Sequence, residues 1–271
     1  MHQNSRFHKD RKLRIVLTGA SKGIGAAIAH ALVPHAEWIC LVGRDAEALR
    51  RVQDAMAGIS VTLVTGDISD PVVQQHIASA VGQAPLDVLI NNAGISHFGA
   101  VEHTPSQMIG QLLSVNLVAP IQLTQILLPA LKKCQAAQVI NIGSTFSYIG
   151  YPGFAVYCAS KFGLRGFTEA MDRELGDSWP RVRLFSPRAT STEINAPEVK
   201  ELNHDLGVSQ DSPEAVAQQF VHFLFGSKRE HRVGGPERIF TMINQLLPRV
   251  VDRALYRQLA RVKRAFPALR T

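Results

Sequence analysis

The chain is poor in cysteine, in aromatic residues and in charge. Its 271 residues include only 3 cysteines, 7% aromatic residues and 19% charged residues. Cys40, Cys134 and Cys158 show neither paired nor metal-like spacing, which argues against a disulfide framework and favours a reducing compartment. The 10 histidines are scattered without His-x-His or His-Glu-x-x-His spacing, so the sequence predicts no metal site.

Long apolar runs and an apolar leader are also lacking. No apolar stretch reaches the roughly 18 residues that a membrane-spanning helix needs. Residues 1–14 are polar and basic, without the apolar core of a secretory signal. We therefore expect a cytoplasmic protein, with peripheral membrane contact left open. Because 46% of the residues are hydrophobic, the chain can bury the core of one large α/β domain.

Short apolar runs alternate with amphipathic stretches. Strands are predicted at 14–19, 38–43, 61–66, 86–91, 137–143 and 181–186. This alternation indicates βαβ units around a parallel sheet. The predicted fold is a single Rossmann-type doubly wound α/β sheet with helices on both faces, plus a C-terminal amphipathic helical extension. We divide the chain into a flexible basic N-terminus (1–13), a dinucleotide-binding catalytic domain (14–235) and a basic amphipathic extension (236–271).

The first predicted strand runs directly into a glycine-rich turn and then a helix. Gly19, Gly23 and Gly25 give the spacing Gly-x-x-x-Gly-x-Gly. Glycines at such a turn allow close approach of a pyrophosphate, and the helix N-terminus offers N–H groups to its oxygens. An ordinary glycine-rich turn is the alternative. The strand before it and the helix after it favour dinucleotide binding.

Tyr157 and Lys161 lie four residues apart in a predicted helix, so they share one face. A free tyrosine has a pKa near ~10, and a cation beside it favours the phenolate. We therefore expect Lys161 to lower the pKa of Tyr157. Such a pair suits general acid–base catalysis at an oxygen atom, although the spacing alone also arises by chance.

From residue 14 to 235 these motifs and others resemble, in order, those of the short-chain dehydrogenase/reductase family, in its compact single-domain branch. Besides the glycine turn, they are Asp67, the run Asn91-Asn92-Ala93-Gly94, and the Tyr-x-x-x-Lys pair. The catalytic set that the resemblance implies is Asn116, Ser144, Tyr157 and Lys161. The cofactor-binding residues that we assign with it are Gly19, Ser21, Lys22, Gly23, Ile24, Gly25, Arg44, Asp67, Ile68, Asn92, Ala93, Gly94, Tyr157, Lys161, Pro187, Thr190 and Thr192.

The resemblance implies hydride transfer between a nicotinamide and a carbonyl or alcohol. Tyr157 would protonate the carbonyl oxygen, and Ser144 would hydrogen-bond the same atom. Lys161 would also hold the nicotinamide ribose, and Asn116 would keep a water that relays protons. Simpler alternatives stay open: Ser144 as a strand-end turn residue, Asn116 as a bridge between backbone groups, and Asp67 as a cap of the helix that follows.

Charge after the second strand favours NADP(H) over NAD(H). A carboxylate directly at the strand end would bind ribose hydroxyls and repel a 2′-phosphate. Gly43 takes that place here and Arg44 follows, while Lys22 and Ser21 in the glycine turn add a cation and a hydroxyl. We expect Asp45 to cap the next helix.

One departure from the family pattern follows the sixth strand, where Arg188 replaces a glycine after Pro187. Its side chain either reaches solvent and is inert, or faces the active site and selects an anionic substrate. The following segment, 193–211, is interpreted as a mobile amphipathic flap over an apolar pocket. The apolar residues of this flap are Ile194, Val199, Leu202, Leu206 and Val208.

Aromatic and apolar residues between the predicted serine and tyrosine add walls to that pocket: Phe146, Tyr148, Ile149, Tyr151 and Phe154. This composition favours a lipophilic ketone, such as a 3-oxoacyl or steroid-like compound, over a small sugar. The predicted function is therefore an NADP(H)-dependent oxidoreductase. A non-catalytic dinucleotide-binding sensor or scaffold and a sugar-nucleotide epimerase are the alternatives. The resemblance also implies a homodimer or homotetramer, assembled through the long helices that carry Asn116 and Tyr157.

The net charge of +7 belongs to the two ends of the chain. Residues 228–271 alone hold 11 Lys and Arg against 3 Asp and Glu. Apolar residues at helical spacing from Glu237 to Phe266 predict an amphipathic helix that Pro248 kinks or divides. This extension could pack on the body, form a subunit contact or lie on anionic lipid. No recognition motif supports a nucleic-acid partner, and we expect none.

Overall fold

The computed structural model describes residues 11–192 and 196–266. Most of the predicted N-terminal segment and Ile194 of the predicted flap lie outside the described residues. Leu13, which we assigned to the flexible N-terminus, is instead fully buried as the first residue of a strand. This correction follows from the apolar side chain of Leu13, which extends the first strand by one residue.

Seven strands form one parallel sheet in the order β3-β2-β1-β4-β5-β6-β7. They are β1 (Leu13–Thr18), β2 (Ala36–Gly43), β3 (Ser60–Thr65), β4 (Val88–Asn91), β5 (Gln138–Ile142), β6 (Arg181–Ser186) and β7 (Glu230–Arg232). The first six confirm the predicted strands to within two residues. The seventh has no apolar residue, so the hydrophobic pattern did not reveal it; it forms by pairing with β6.

Ten α-helices are described. They are α1 (Gly23–Leu32), α2 (Ala46–Asp54), α3 (Pro71–Val81), α4 (Ser106–Leu113), α5 (Ala119–Lys132), α6 (Ala155–Leu175), α7 (Pro197–Asp205), α8 (Pro213–Leu224), α9 (Gly235–Leu246) and α10 (Pro248–Arg264). Helix α1 packs against α8, and α3 packs against α5. The sheet is doubly wound, as predicted.

The strand order reverses at β1, which pairs with β2 on one side and with β4 on the other. In a doubly wound sheet the loops after the two strands at this point diverge and leave a crevice at their carboxyl ends. The strands themselves are fixed by burial: Ile15, Leu41 and Ile90 are all fully buried. The fold therefore places the glycine turn after β1 beside the segment that follows β4.

Helices α4 and α5 are joined by a π-helical turn at Ser114–Val118. The joined stretch, Ser106–Lys132, is long and apolar enough to cross a membrane by length and composition. Our expectation that the chain has no segment of this kind is therefore wrong. Core helices share that signature. This one packs on α3, α6 and the sheet, and 44% of its most apolar window is buried.

The C-terminal extension consists of α9 and α10, which meet at Leu247 and Pro248. Pro248 thus divides the predicted helix, as expected, because proline cannot donate the hydrogen bond that helix continuation needs. The extension is attached to the body: Asn244 Nδ2 donates to the Tyr148 carbonyl at 3.0 Å, and the Tyr151 hydroxyl donates to Gln258 Oε1 at 3.3 Å.

Candidate active site

The glycine turn closes against the segment after β4. Gly19 has φ +67°, and a Cβ on it would lie 2.7 Å from Ala93 Cα, so only glycine fits. Asn92 Nδ2 donates to the carbonyl oxygens of Thr18 and Gly19 at 2.9 and 3.0 Å. The Thr18 hydroxyl accepts from the backbone N–H groups of Asn92 and Ala93, both at 3.0 Å. Thr18 was not among our predicted site residues. Its position at the carboxyl end of β1, directly before the glycine turn, is the sequence feature that could have indicated it.

A cavity of about 830 Å³ opens from this turn along the carboxyl ends of the strands. Every predicted cofactor-binding residue lines it: Gly19, Ser21, Lys22, Gly23, Ile24, Gly25, Arg44, Asp67, Ile68, Asn92, Ala93, Gly94, Tyr157, Lys161, Pro187, Thr190 and Thr192. Within the described chain, no side chain caps the N-terminus of α1, which begins at this turn. Its first N–H groups therefore suit an anionic ligand.

Arg44 and Asp67 line one end of the cavity, after β2 and β3. Burial by itself raises the pKa of Asp67. Hydrogen bonds from Ser69 and the nearby charge of Arg44 outweigh this effect, and the pKa is lowered. The helix-cap alternative for Asp67 is wrong, because Asp70 caps α3 by accepting from Val72 N at 2.8 Å. Asp45 caps α2, as predicted.

Tyr157 and Lys161 stand one turn apart on α6, with Lys161 Nζ 5.8 Å from the centroid of the phenol ring. Lys161 Nζ also donates to the Ile142 carbonyl at 2.9 Å. Burial lowers the pKa of Lys161 to about 8. Burial also raises the pKa of Tyr157 to about 12, which the Ser144 side chain partly opposes. Our expectation of a lowered tyrosine pKa is therefore corrected, because burial disfavours the charged phenolate.

Ser144 follows β5 and begins a short 3₁₀ turn, Thr145–Ser147. Its Oγ accepts from Phe146 N at 3.2 Å, and Ser147 Oγ accepts from Ser144 N at 3.1 Å. Ser144 is thus a turn residue, yet it also lines the cavity and interacts with the Tyr157 hydroxyl. The two roles that we separated are compatible, because capping fixes the direction of the Ser144 side chain.

Asn116 lies in the π-helical turn and is fully buried. Its Oδ1 accepts from Ile95 N at 2.9 Å, while Nδ2 donates to Ile95 O at 2.9 Å and to Ser160 Oγ at 3.1 Å. The alternative of a bridge between backbone groups is confirmed. Asn116 is not among the cavity-lining residues, and a role in holding a water stays a prediction.

The other end of the cavity is apolar. Four predicted wall residues, Phe146, Ile149, Tyr151 and Phe154, line it, as do Val199, Leu202, Leu206 and Val208 of the predicted flap. Tyr148 does not; it is 1% exposed and lies between Arg165 and Arg232. The sequence did not reveal that α10 also reaches this end, where Val262 and Phe266 pack with Phe98 and Phe154.

Both of our interpretations of Arg188 are corrected. Its guanidinium donates two hydrogen bonds to Asp211, at 2.9 and 2.7 Å, and one to Glu237 at 3.3 Å. Hydrogen bonds to Asp211 hold the pKa of Arg188 above its ordinary value. The side chain borders the cavity. Because two carboxylates already neutralise it, Arg188 is neither solvated and inert nor available to select an anionic substrate.

The site matches a known enzyme family. The short chain dehydrogenase family model matches residues 14–203, well over half of the chain. The chain belongs to the short-chain dehydrogenase family. It is therefore an oxidoreductase of carbonyl or alcohol groups that uses a nicotinamide dinucleotide.

Relatives and solved structures of this family cover most of the chain. Carbonyl reductase family member 4 from Xenopus laevis is 32% identical over 76% of this chain and 88% of that protein. A metagenomic short-chain oxidoreductase in complex with NADP is 28% identical, with a TM-score of 0.69 over 83% of this chain and 98% of that one. A Burkholderia phymatum short-chain dehydrogenase in complex with NAD has a TM-score of 0.80 over 90% and 96% but 20% identity, which shows the fold alone.

Proposed function

We propose that this short-chain dehydrogenase reduces the carbonyl group of a lipophilic substrate with NADPH. The observation that carries the proposal is one continuous cavity with two unlike ends. Arg44 lies at the polar end near the glycine turn, and aromatic side chains lie at the other. Tyr157, Ser144 and Lys161 stand along the same cavity.

The polar end fits a dinucleotide. Gly19 and Gly25 keep the turn compact, since a Cβ on Gly25 would lie 2.0 Å from the Gly19 carbonyl oxygen. The uncapped N-terminus of α1 would face the pyrophosphate, and Arg44 with Lys22 would hold a 2′-phosphate. Bound there, NADPH supplies the hydride. The NADP-bound metagenomic relative supports this choice.

The chain's own residues supply a proton and fix the substrate oxygen. The Tyr157 hydroxyl keeps its proton at neutral pH because its pKa is about 12, so it can donate that proton to the carbonyl oxygen. The Ser144 hydroxyl, directed by its turn, would hydrogen-bond the same oxygen. Charged Lys161 would stabilise the phenolate that forms as the proton leaves.

The apolar end favours an extended hydrophobic ketone. Phe146, Tyr151 and Phe154 form an aromatic group beside Tyr157, with Phe146 and Phe154 each 6.2 Å from it between ring centroids. Aromatic walls bury apolar surface and offer few partners to a polyhydroxylated sugar. The name of the Xenopus relative, a carbonyl reductase, agrees with a carbonyl substrate.

A panel of carbonyl compounds tests the proposal. We expect NADPH oxidation with at least one apolar class among 3-oxoacyl thioesters, ketosteroids, quinones and long aliphatic aldehydes, and little with small sugars. Absorbance of the reduced nicotinamide measures the rate, with NADH run in parallel. Tight NADPH binding without turnover of any compound would instead support the dinucleotide-binding sensor.

The pH dependence of reduction should follow Lys161. Its pKa of about 8 lies below the Tyr157 value of about 12, so the lysine loses its proton first as pH rises. We expect kcat/KM for the ketone to be constant near pH 7 and to fall about tenfold per pH unit above 8. Initial rates at saturating NADPH measure this, with the unfolding temperature as the control for stability. A flat profile up to about pH 10 would contradict the role of Lys161.

Assembly and location stay predictions. Val118, next to α5, and Phe162 on α6 are exposed apolar residues near the segments that carry Asn116 and Tyr157. Exposed apolar surface there supports homo-oligomerisation through these helices. The predicted cytoplasmic location rests on the sequence alone.

A further inference from the structure

Helix α9 exposes an apolar stripe although it is docked on the protein. Ile239, Met242 and Leu246 follow the spacing i, i+3, i+7, so they lie on one helical face. Leu246 is 76% exposed, and Leu247 at the joint with α10 is 61% exposed. Val250, one turn later, is also exposed. A row of exposed apolar side chains of this kind often marks an interaction site.

Helix α10, which directly follows α9, exposes a row of cations. Arg249, Arg253, Arg257 and Arg261 recur every four residues, and all are exposed. The opposite face is buried through Val251 and Val262. Asp252 is the acidic residue of this helix. The arginine row therefore points away from the body and is not neutralised within α10. We call the stripe and the row together the α9–α10 surface.

This surface is held in place from the other side. Phe240 on α9 lines the cavity, and Val262 on α10 packs with Phe98, Phe154 and Cys158. Because each helix has one face fixed by these contacts, the apolar stripe cannot turn inward without losing them. The exposed leucines and arginines thus stay on the outside of the folded protein.

We propose that the α9–α10 surface docks the enzyme on an anionic lipid membrane. Exposed leucine and isoleucine side chains can enter the headgroup region, and each arginine near an anionic surface adds attraction. A two-fold contact with a second copy that buried the arginine row would bring like charges of the two copies together. Nucleic acid would match the arginines but leave the apolar stripe in water. Anionic lipid satisfies both parts.

Sedimentation with vesicles tests the proposal. The full chain should bind phosphatidylcholine vesicles containing about one third phosphatidylserine far better than vesicles of phosphatidylcholine alone, and less at high salt. The double variant Arg253→Gln/Arg257→Gln should bind anionic vesicles about 30-fold more weakly. Leu246→Gln/Leu247→Gln should also weaken vesicle binding but leave any binding to duplex DNA unchanged.

Matched controls separate this surface from general charge and hydrophobicity. Arg50→Gln/Arg51→Gln removes two exposed cations of α2, and Val72→Gln/Val101→Gln removes two exposed apolar side chains elsewhere. Both controls should bind vesicles like the unaltered chain. All variants should keep their thermal unfolding temperature and their NADPH binding. The proposal is overturned if the chain does not bind anionic vesicles, if the controls lose as much binding as the α9–α10 variants, or if the leucine variant dissociates an oligomer instead.

Discussion

Replacing Tyr157 with phenylalanine should lower the rate of carbonyl reduction about 1000-fold while NADPH still binds. The substitution removes one oxygen from a side chain that stands beside Ser144 and one turn from Lys161. The ring and its contacts with Phe146 and Phe154 remain, so the cavity should keep its shape. Turnover is measured with the best ketone of the panel, and NADPH binding by nicotinamide fluorescence.

The matched control is Tyr151→Phe. Tyr151 lines the same cavity, but its hydroxyl bonds to Gln258 on α10 and lies outside the Tyr157–Lys161 pair. We expect this variant to keep turnover within a few-fold of the unaltered enzyme, because losing one partly buried hydrogen bond costs about 1 kcal/mol. If Tyr157→Phe were equally active, Tyr157 would not be the proton donor and the proposed mechanism would fail.

Sequence patterns located the sheet and the polar end of the cavity because both depend on local rules. Buried parallel strands favour apolar residues, and six of the seven strands contain enough of them to be predicted from the sequence. The glycine turn requires residues without side chains where two backbones meet, and Gly19 meets Ala93 there. All predicted cofactor residues consequently fall on one cavity.

Features that depend on long-range packing escaped the sequence. The polar strand β7 forms only through its pairing with β6. Phe266 contacts Phe98, which is far away in the chain, so no local sequence pattern predicts this contact. The same holds for electrostatics. The four-residue spacing correctly predicted that Lys161 lies beside Tyr157. Whether the pKa of Tyr157 is raised or lowered depends on burial, which only the folded structure shows. The sequence likewise did not reveal that Arg188 forms a salt bridge with Asp211, because the two residues are 23 positions apart.

The second prediction with a large expected effect concerns Arg44 and the choice between NADPH and NADH. Arg44→Ala should raise the Michaelis constant for NADPH about 100-fold, because charge-assisted hydrogen bonds to a phosphate contribute about 1.5–3 kcal/mol. The constant for NADH should change about twofold at most, since NADH has no 2′-phosphate. Arg44 is exposed directly after β2, so the fold should be retained when its side chain is removed.

Arg50→Ala provides the comparison, because Arg50 is an exposed cation on the helix that follows Arg44 but does not line the cavity. Its removal should leave both Michaelis constants unchanged, which separates a direct phosphate contact from a general loss of positive charge. The Asp67 carboxylate lies near enough to Arg44 for the arginine charge to lower its pKa. Equal losses for NADPH and NADH in Arg44→Ala would assign the arginine to the shared part of the two cofactors and would refute the NADPH preference.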